Sequence, residues 1–440
     1  MSGCTTSDSA ITSPVTLPPS FSSQGTGALT QEWWTVFGDP SLNQLVEEAL
    51  SNSPDLRTTF YRLKESRAAA REAGSFLFPS LEAEGGIERT EQDDTSTDEG
   101  LLGLSASYEI DLWGGVQARA EAGKLEADAS ALDLQTAALT LSSEICNSWI
   151  SLISVEQQLG LLGKQVKANE QSLSLLETRF GQGTVKSVDV LRQRQLLAAT
   201  RQQLHGVRAT RDVLQHQLAL LLGRSPQNAP SAAMKSFPDL PPLPDSGLPV
   251  DLLTRRPDLQ AQLLRVRAAN RESGVALSQR FPRLALSAST NTRDNEAEAL
   301  FDEWARSFAA NLAVPLLDAG RRRAEHRQAK AREYQELYTY GQAVLVALRD
   351  VENALRQEHH QILIIQELEA QINDAQKALD QLQLQYLNGT GNFIDVLTSR
   401  VDYQKLQRDQ LDARRLLYIY RINLYRALAG SISVDLEDNT

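Results

Sequence analysis

Two cysteines, five histidines and a few well-placed carboxylates are the side chains through which this chain could do covalent, metal or acid–base chemistry. The histidines (His205, His216, His326, His359 and His360) fall in stretches that read as helix, with no cysteine or carboxylate at metal-ligand spacing. His359 and His360 are adjacent, so their rings point to different helix faces; a solvated pair fits better than a ligand pair. The sequence contains no nucleophile elbow, no phosphate loop and no G-x-G-x-x-G in a strand-to-helix context. No catalytic residue, metal site or cofactor is expected. Two cysteines, Cys4 and Cys146, also exclude a disulfide framework or a cysteine-rich zinc site.

What remains is Cys4 and two acids, Asp189 and Asp395, each shortly after a glycine-bearing turn. A cysteine near a terminus is often without function. Ser2-Gly3-Cys4 is also how a bacterial lipoprotein signal ends, which makes Cys4 a candidate acylated residue. The apolar segment that precedes such a site is not in the sequence, which fits a chain recorded from its maturation site behind an added Met1. One acyl group gives only modest membrane affinity and would assist another anchor. The stretch from Thr5 to Gln31, rich in Ser, Thr, Pro and Gly, reads as a tether.

Elements that could position these residues follow from composition and repetition. The chain has 440 residues, 44 Lys+Arg against 56 Asp+Glu, a net charge of −12 and 41% apolar residues. Its mean hydropathy is −0.33. The acidic balance argues against a nucleic-acid partner, and no apolar run is long enough for a helical membrane span. Pro54-Asp55-Leu56 recurs as Pro257-Asp258-Leu259, and Phe78-Pro79 as Phe281-Pro282. Asp111-Leu112-Trp113-Gly114-Gly115 is answered by Pro315-Leu316-Leu317-Asp318-Ala319. Gly183-Thr184 and Asp189-Val190-Leu191 return as Gly389-Thr390 and Asp395-Val396-Leu397. Four landmarks in one order, displaced by about two hundred residues, mark a tandem duplication. The expected organisation is a tether over 1–40, a first repeat over 41–224, a Pro-rich linker over 225–250, a second repeat over 251–430 and a tail over 431–440.

Each repeat reads as helix, strand hairpin, long helix and return helix. The first helices are expected over 41–75 and 251–280, each stopping before Phe-Pro. Leu81, Ala83, Gly85 and Ile87 alternate with Glu82, Glu84, Gly86 and Glu88, and Leu284, Leu286 and Ala288 with Ala285, Ser287 and Ser289. Strand segments are thus expected at about 81–111 and 283–316, with acidic loops at 92–100 and 294–303. No proline interrupts the chain between Pro79 and Pro226 or after Pro315. Seven-residue seams run through Ile145, Leu152, Leu159, Val166, Leu173 and Phe180, and through Leu337, Val344, Val351, Glu358, Ile365, Ile372, Leu379 and Tyr386. Such seams predict coiled-coil helices over 115–179 and 319–385, returning as 187–222 and 393–429. Four strands leave two bare edges, and membrane barrels need about eight or more strands, so closure demands several copies. A small soluble sheet on a coiled-coil scaffold is the competing reading.

The landmarks resemble the TolC-like outer-membrane efflux proteins, in their lipoprotein branch. The resemblance rests on Trp33-Trp34-x-x-Phe37-x-Asp39-Pro40, Tyr108-Glu109-Ile110-Asp111-Leu112-Trp113-Gly114, Arg255-Arg256-Pro257-Asp258-Leu259, Phe281-Pro282 and Val314-Pro315-Leu316-Leu317-Asp318-Ala319-Gly320-Arg321-Arg322. It implies a mainly α chain with a membrane β-barrel: three copies forming a twelve-stranded barrel and an α-helical periplasmic tunnel. It further implies a passive exit duct, not an enzyme, with three partners besides its own copies. These are a periplasmic membrane-fusion adaptor, an inner-membrane pump of the resistance-nodulation-division type, and outer-membrane lipid reached through Cys4.

The resemblance also assigns roles at the helix tips. Asp395 matches an acid that rings the tunnel entrance; Thr398 stands where relatives carry a second one. Tyr386 and Asp189 match latch contacts between neighbouring helices, and Gly391 stands where some relatives have a basic latch residue. Gly181, Gly183, Thr184, Gly389, Thr390 and Gly391 form the expected adaptor-docking tips. Asp189 and Asp395 also fit a helix start, where carboxylates are favoured, and the two roles are compatible.

Overall fold

The computed structural model describes residues 14–92, 95–231, 236–296, 298–428 and 432. Cys4 lies outside them, as does the 431–440 tail apart from Ile432. The chain is mostly helical, with one four-stranded sheet.

Helix α1 (Pro40–Asn52) starts on Asp39, whose Oδ1 accepts from the backbone N–H of Ser41 at 2.9 Å and of Leu42 at 3.3 Å. The helix expected over 41–75 is in fact two, because Pro54 opens α2 (Pro54–Ser75) and forces Ser53 into an extended conformation at ψ 124°. The second repeat breaks in the same way. Arg256, at ψ 120°, separates the single turn α5 (Leu252–Arg255) from α6 (Pro257–Ser278).

The long helices α3 (Gly115–Gly181) and α7 (Arg321–Leu387) have 67 residues each, about 100 Å at 1.5 Å per residue. Their return partners are α4 (Ser187–Leu221) and α8 (Phe393–Leu428).

Strands β1 (Ser80–Gln92), β2 (Thr95–Ile110), β3 (Arg283–Asp294) and β4 (Ala305–Ala313) form one antiparallel sheet in chain order. The β2–β3 seam joins the two repeats, leaving β1 and β4 with one neighbour each. The first hairpin closes further than the sequence suggested. Pairing continues to Gln92↔Thr95, so the stretch expected as an acidic loop is largely strand. Arg89 Nε and Nη2 each donate to Asp98 at 2.6 Å across this ribbon, and Thr90 opposes Thr97, both favourable cross-strand pairs. The second hairpin keeps its loop, which holds one 3-10 turn at Ala299–Phe301.

Register assigns the two faces. Leu81, Ala83 and Ile87 share one with Leu102, Leu104, Ala106, Leu284, Leu286, Phe308 and Leu312. Glu82, Glu84 and Glu88 share the other with Ser105, Ser107, Ser287, Ser289 and Asn311. Ile87 and Phe308 are 85% and 84% exposed, so nothing within the chain covers the apolar face there.

The repeats correspond in space with one shift from the sequence motif. Gly114 and Gly320 both have positive φ (73° and 86°), both accept from the N–H four residues on, and both precede a long helix. Trp113 therefore corresponds to Ala319 rather than Leu317. In the second repeat, Asp318 folds the longer connection by accepting from the N–H groups of Gly320 and Arg322, and these bonds hold its carboxyl below the usual range.

Contacts divide the chain into two compact units, each drawing on both repeats. One is built around Phe60–Asp133 and Asp258–Leu345 and contains the sheet. Inside it, the Trp113 ring stacks on Phe281 at 4.8 Å and its Nε1–H donates to the Pro282 carbonyl at 2.7 Å. The other is built around Leu17–Thr59, Leu134–Pro257 and Val346–Thr440. Its core joins Leu42 and Val46 of α1, Ile145, Trp149 and Ile153 of α3, and Ile422 and Tyr425 of α8, all essentially buried. Trp149 Nε1–H donates to Asp39 Oδ2 at 2.6 Å, and Trp33 stacks on Tyr425 at 5.8 Å. The tryptophan and aspartate of the N-terminal motif are thus structural.

Candidate functional site at the helix tips

The two tips are the same piece of local chemistry built twice. At the end of α3, the N–H of Gly183 donates to the Phe180 carbonyl at 2.9 Å and that of Thr184 to Arg179 at 3.0 Å. At the end of α7, Gly389 donates to Tyr386 at 3.1 Å and Thr390 to Gln385 at 2.9 Å. This is the pairing of a Schellman helix end, and it places Gly183 and Gly389 at φ 75° and 78°, where a Cβ is strained. The Thr184 and Thr390 hydroxyls donate to the same Arg179 and Gln385 carbonyls. Each tip therefore ends in a tight, satisfied turn. Gly181, Gly183, Thr184, Gly389 and Thr390 are left exposed.

Behind the turns, Leu176, Val190 and Phe393 form a small buried cluster with Leu173, Val185, Tyr386 and Leu397 against it. The cluster packs the α3–α4 tip on the α7–α8 tip. Tyr386 is held by Phe393 at a ring distance of 5.5 Å and by the Arg179 guanidinium 5.3 Å from its ring centre. Burial raises the pKa of the Tyr386 phenol; Arg179 opposes that shift and Asp189 adds to it. The phenol is therefore neutral at physiological pH. Asp189, in the first turn of α4, is half-buried and acts electrostatically on Tyr386.

Asp395, in the first turn of α8, is exposed. Gly391 has a steric reason to be glycine. A Cβ there would meet Gln385 Cβ at 3.1 Å and the Tyr386 nitrogen at 3.2 Å. A longer basic side chain would need that turn to shift.

Two polar clusters in this unit escaped the sequence reading. Asn169 of α3, fully buried, donates from Nδ2 to Thr200 Oγ1 at 3.0 Å and to Gln404 Oε1 at 3.4 Å, while Gln404 Nε2 returns a bond at 3.3 Å. Gln193 Nε2 donates to the Asn169 carbonyl at 3.0 Å, and Arg408 donates to Gln165 Oε1 at 2.8 Å. These amides link α3, α4 and α8, and their spacing (Gln165 with Asn169, Gln404 with Arg408) was the signal available.

The second cluster is the ion pair of Arg421 and Glu358, whose side chains are 4% and 5% exposed. Arg421 Nε donates to Glu358 Oε2 at 2.8 Å, and Nη1 to the carbonyl of Pro241 in the linker. Tyr418 donates its hydroxyl to the Pro238 carbonyl and stacks on Phe237 at 5.0 Å. Glu358 interrupts the apolar seven-residue seam, and a carboxylate at such a position was the signal available for a buried partner.

Long paired helices, duplicated tips and an open four-stranded sheet have a match among known proteins. The family described as outer membrane efflux protein matches residues 45–224 and again 248–430. The chain belongs to the outer membrane efflux protein family. Members similar to it include the pyoverdine export outer membrane protein OpmQ of Pseudomonas aeruginosa, 32% identical over 426 residues, which cover 92% of this chain and 88% of OpmQ. The probable outer membrane lipoprotein SilC of Salmonella typhimurium is 26% identical over 412 residues, 90% of this chain and 87% of SilC. Among solved structures, the outer-membrane channel OprN superposes with a TM-score of 0.88 at 28% identity, over 96% of this chain and 98% of OprN. The two separate family matches fall one on each repeat, and the efflux-protein fold accounts for the order of elements.

Proposed function

We propose that this efflux-family protein is the outer-membrane exit duct of a tripartite export system. Three copies close twelve strands into a barrel, and their long helices form a tunnel that stands in the periplasm. The observation that carries this reading is the sheet: an apolar face, a polar face lined by Glu82, Glu84 and Glu88, and two unpaired edges. Such a sheet fits lipid outside and water inside once closed. Conduction is passive, with no catalytic step. An inner-membrane pump of the resistance-nodulation-division type supplies the driving force through a periplasmic adaptor.

The adaptor docks on the exposed glycine turns at Gly181–Thr184 and Gly389–Gly391. Tyr386 and Asp189 hold the entrance closed, and the three Asp395 carboxylates make it electronegative and cation-preferring. Acylation at Cys4 adds a lipid anchor, as the lipoprotein name of SilC supports. Fractionation tests the membrane reading. The protein should resist salt extraction from membranes and come out in detergent as a heat-modifiable trimer. Release by salt alone as a soluble coiled coil would refute it.

A further inference from the structure

The duplication makes one inner seam of the sheet a template for the seam between copies. Ser107 stands opposite Ser80 in the first hairpin, and Ala313 opposite Arg283 in the second. Ala313 is therefore the spatial mate of Ser107, the same displacement that relates the start of α7 at Arg321 to that of α3 at Gly115. Arg283 is likewise the mate of Ser80, as Pro257 is of Pro54 at the starts of α6 and α2.

Strand β4 thus repeats β2, and β1 repeats β3. Within the chain, β2 pairs with β3 through Gly100↔Asp294, Leu104↔Thr290 and Ser107↔Ser287. Carrying those pairs across the duplication predicts the pairing of β4 with β1 of the next copy.

We propose that the free edges of neighbouring copies join antiparallel in the register Ala313↔Glu84, Ala310↔Ile87 and Arg306↔Glu91, the second residue of each pair belonging to the adjacent copy. This rests on the trimeric reading above and assigns the residues that make it. Three features of the sequence agree with the register without having been used to obtain it. The first is a charge match: Arg306 meets Glu91, and Phe308 meets the Arg89 guanidinium, a cation–π arrangement. The ends also match, since Ala305 at the start of β4 falls opposite Gln92 at the end of β1, so all nine residues of β4 find strand partners. The apolar faces continue too. Leu312 meets Gly85, and beyond the strand Leu316 (91% exposed) lies opposite Leu81 (73% exposed). A register displaced by two residues toward the start of β1 would set Arg306 against Arg89 instead, a like-charge pair, and the opposite displacement would carry Arg306 past Gln92, the last residue of β1.

Cysteine pairs read the register directly. Ala309→Cys with Glu88→Cys, both on the polar face, should give covalent dimers and trimers after mild oxidation of membranes, seen on heated non-reducing gels. Each single variant and the unaltered chain should not. The displaced pairs Ala309→Cys with Gly86→Cys or with Thr90→Cys should cross-link at least tenfold less. Preferential cross-linking of a displaced pair, in a protein that still runs as a trimer, would overturn the register while leaving the trimer intact. No cross-link from any pair in such a trimer would overturn the seam itself. A protein that forms no trimer at all would instead refute the reading it rests on.

Charge reversal supplies an independent check that needs no disulfide. Arg306→Glu and Glu91→Lys should each lower the temperature at which the detergent-resistant trimer dissociates, and the double variant should restore it. Additive losses in the double variant would contradict the pair.

Discussion

Asp395 is exposed on the first turn of α8, so replacing it removes charge without opening a cavity. Asp395→Ala is expected to raise conductance or reduce cation preference in planar bilayers while the trimer stays folded. Unchanged conductance and selectivity would remove it from the entrance. Tyr386 differs, because its ring is packed between Phe393 and Arg179. Tyr386→Ala should loosen the tips and let antibiotics leak into cells that express the protein; wild-type resistance would argue against a latch. Arg421 carries a structural prediction. Arg421→Leu leaves Glu358 buried without its partner, a change that typically costs about 3–5 kcal/mol. A much lower thermal midpoint with normal conductance in the surviving trimers would place this pair in the scaffold and not in transport.

At the scale of elements, the tips depend on two left-handed glycines. Gly183→Val or Gly389→Val forces a β-branched side chain into positive φ, at a cost of about 1–2 kcal/mol in that turn. Adaptor binding should weaken more than trimer stability, as measured by pull-down beside a melting curve. These elements were legible in the sequence to very different degrees. The long helices were readable because proline is absent from them and apolar residues recur every seventh position. The tips were readable because a Gly-Thr pair precedes an Asp-Val-Leu run in both repeats. The breaks at Pro54 and Pro257 were hidden because the apolar pattern continues across them, though each proline restricts the residue before it. The outer end of the β1–β2 hairpin, over 92–100, reads as loop because its acids, Asp98 among them, mask a pairing that only the cross-strand register reveals. Asn169 and Gln404 are harder to read because the spacing of Gln165 with Asn169 and of Gln404 with Arg408 marks a polar stripe on each helix but not that the two stripes meet.

For the whole molecule, an acidic and hydrophilic average describes a chain whose apolar surface is divided among strands too short to stand out. Among the described residues no helix is long and apolar enough to cross a membrane. The membrane element is instead the sheet, whose edges stay unpaired until other copies close it and whose apolar face is left for lipid to cover. Stability and function therefore both belong to the assembly. Planar-bilayer recording of the purified full-length protein tests this most directly. A trimeric conduit predicts discrete, long-lived unitary currents with cation preference. Membranes that stay electrically silent after both the unaltered protein and Tyr386→Ala have demonstrably inserted would contradict it.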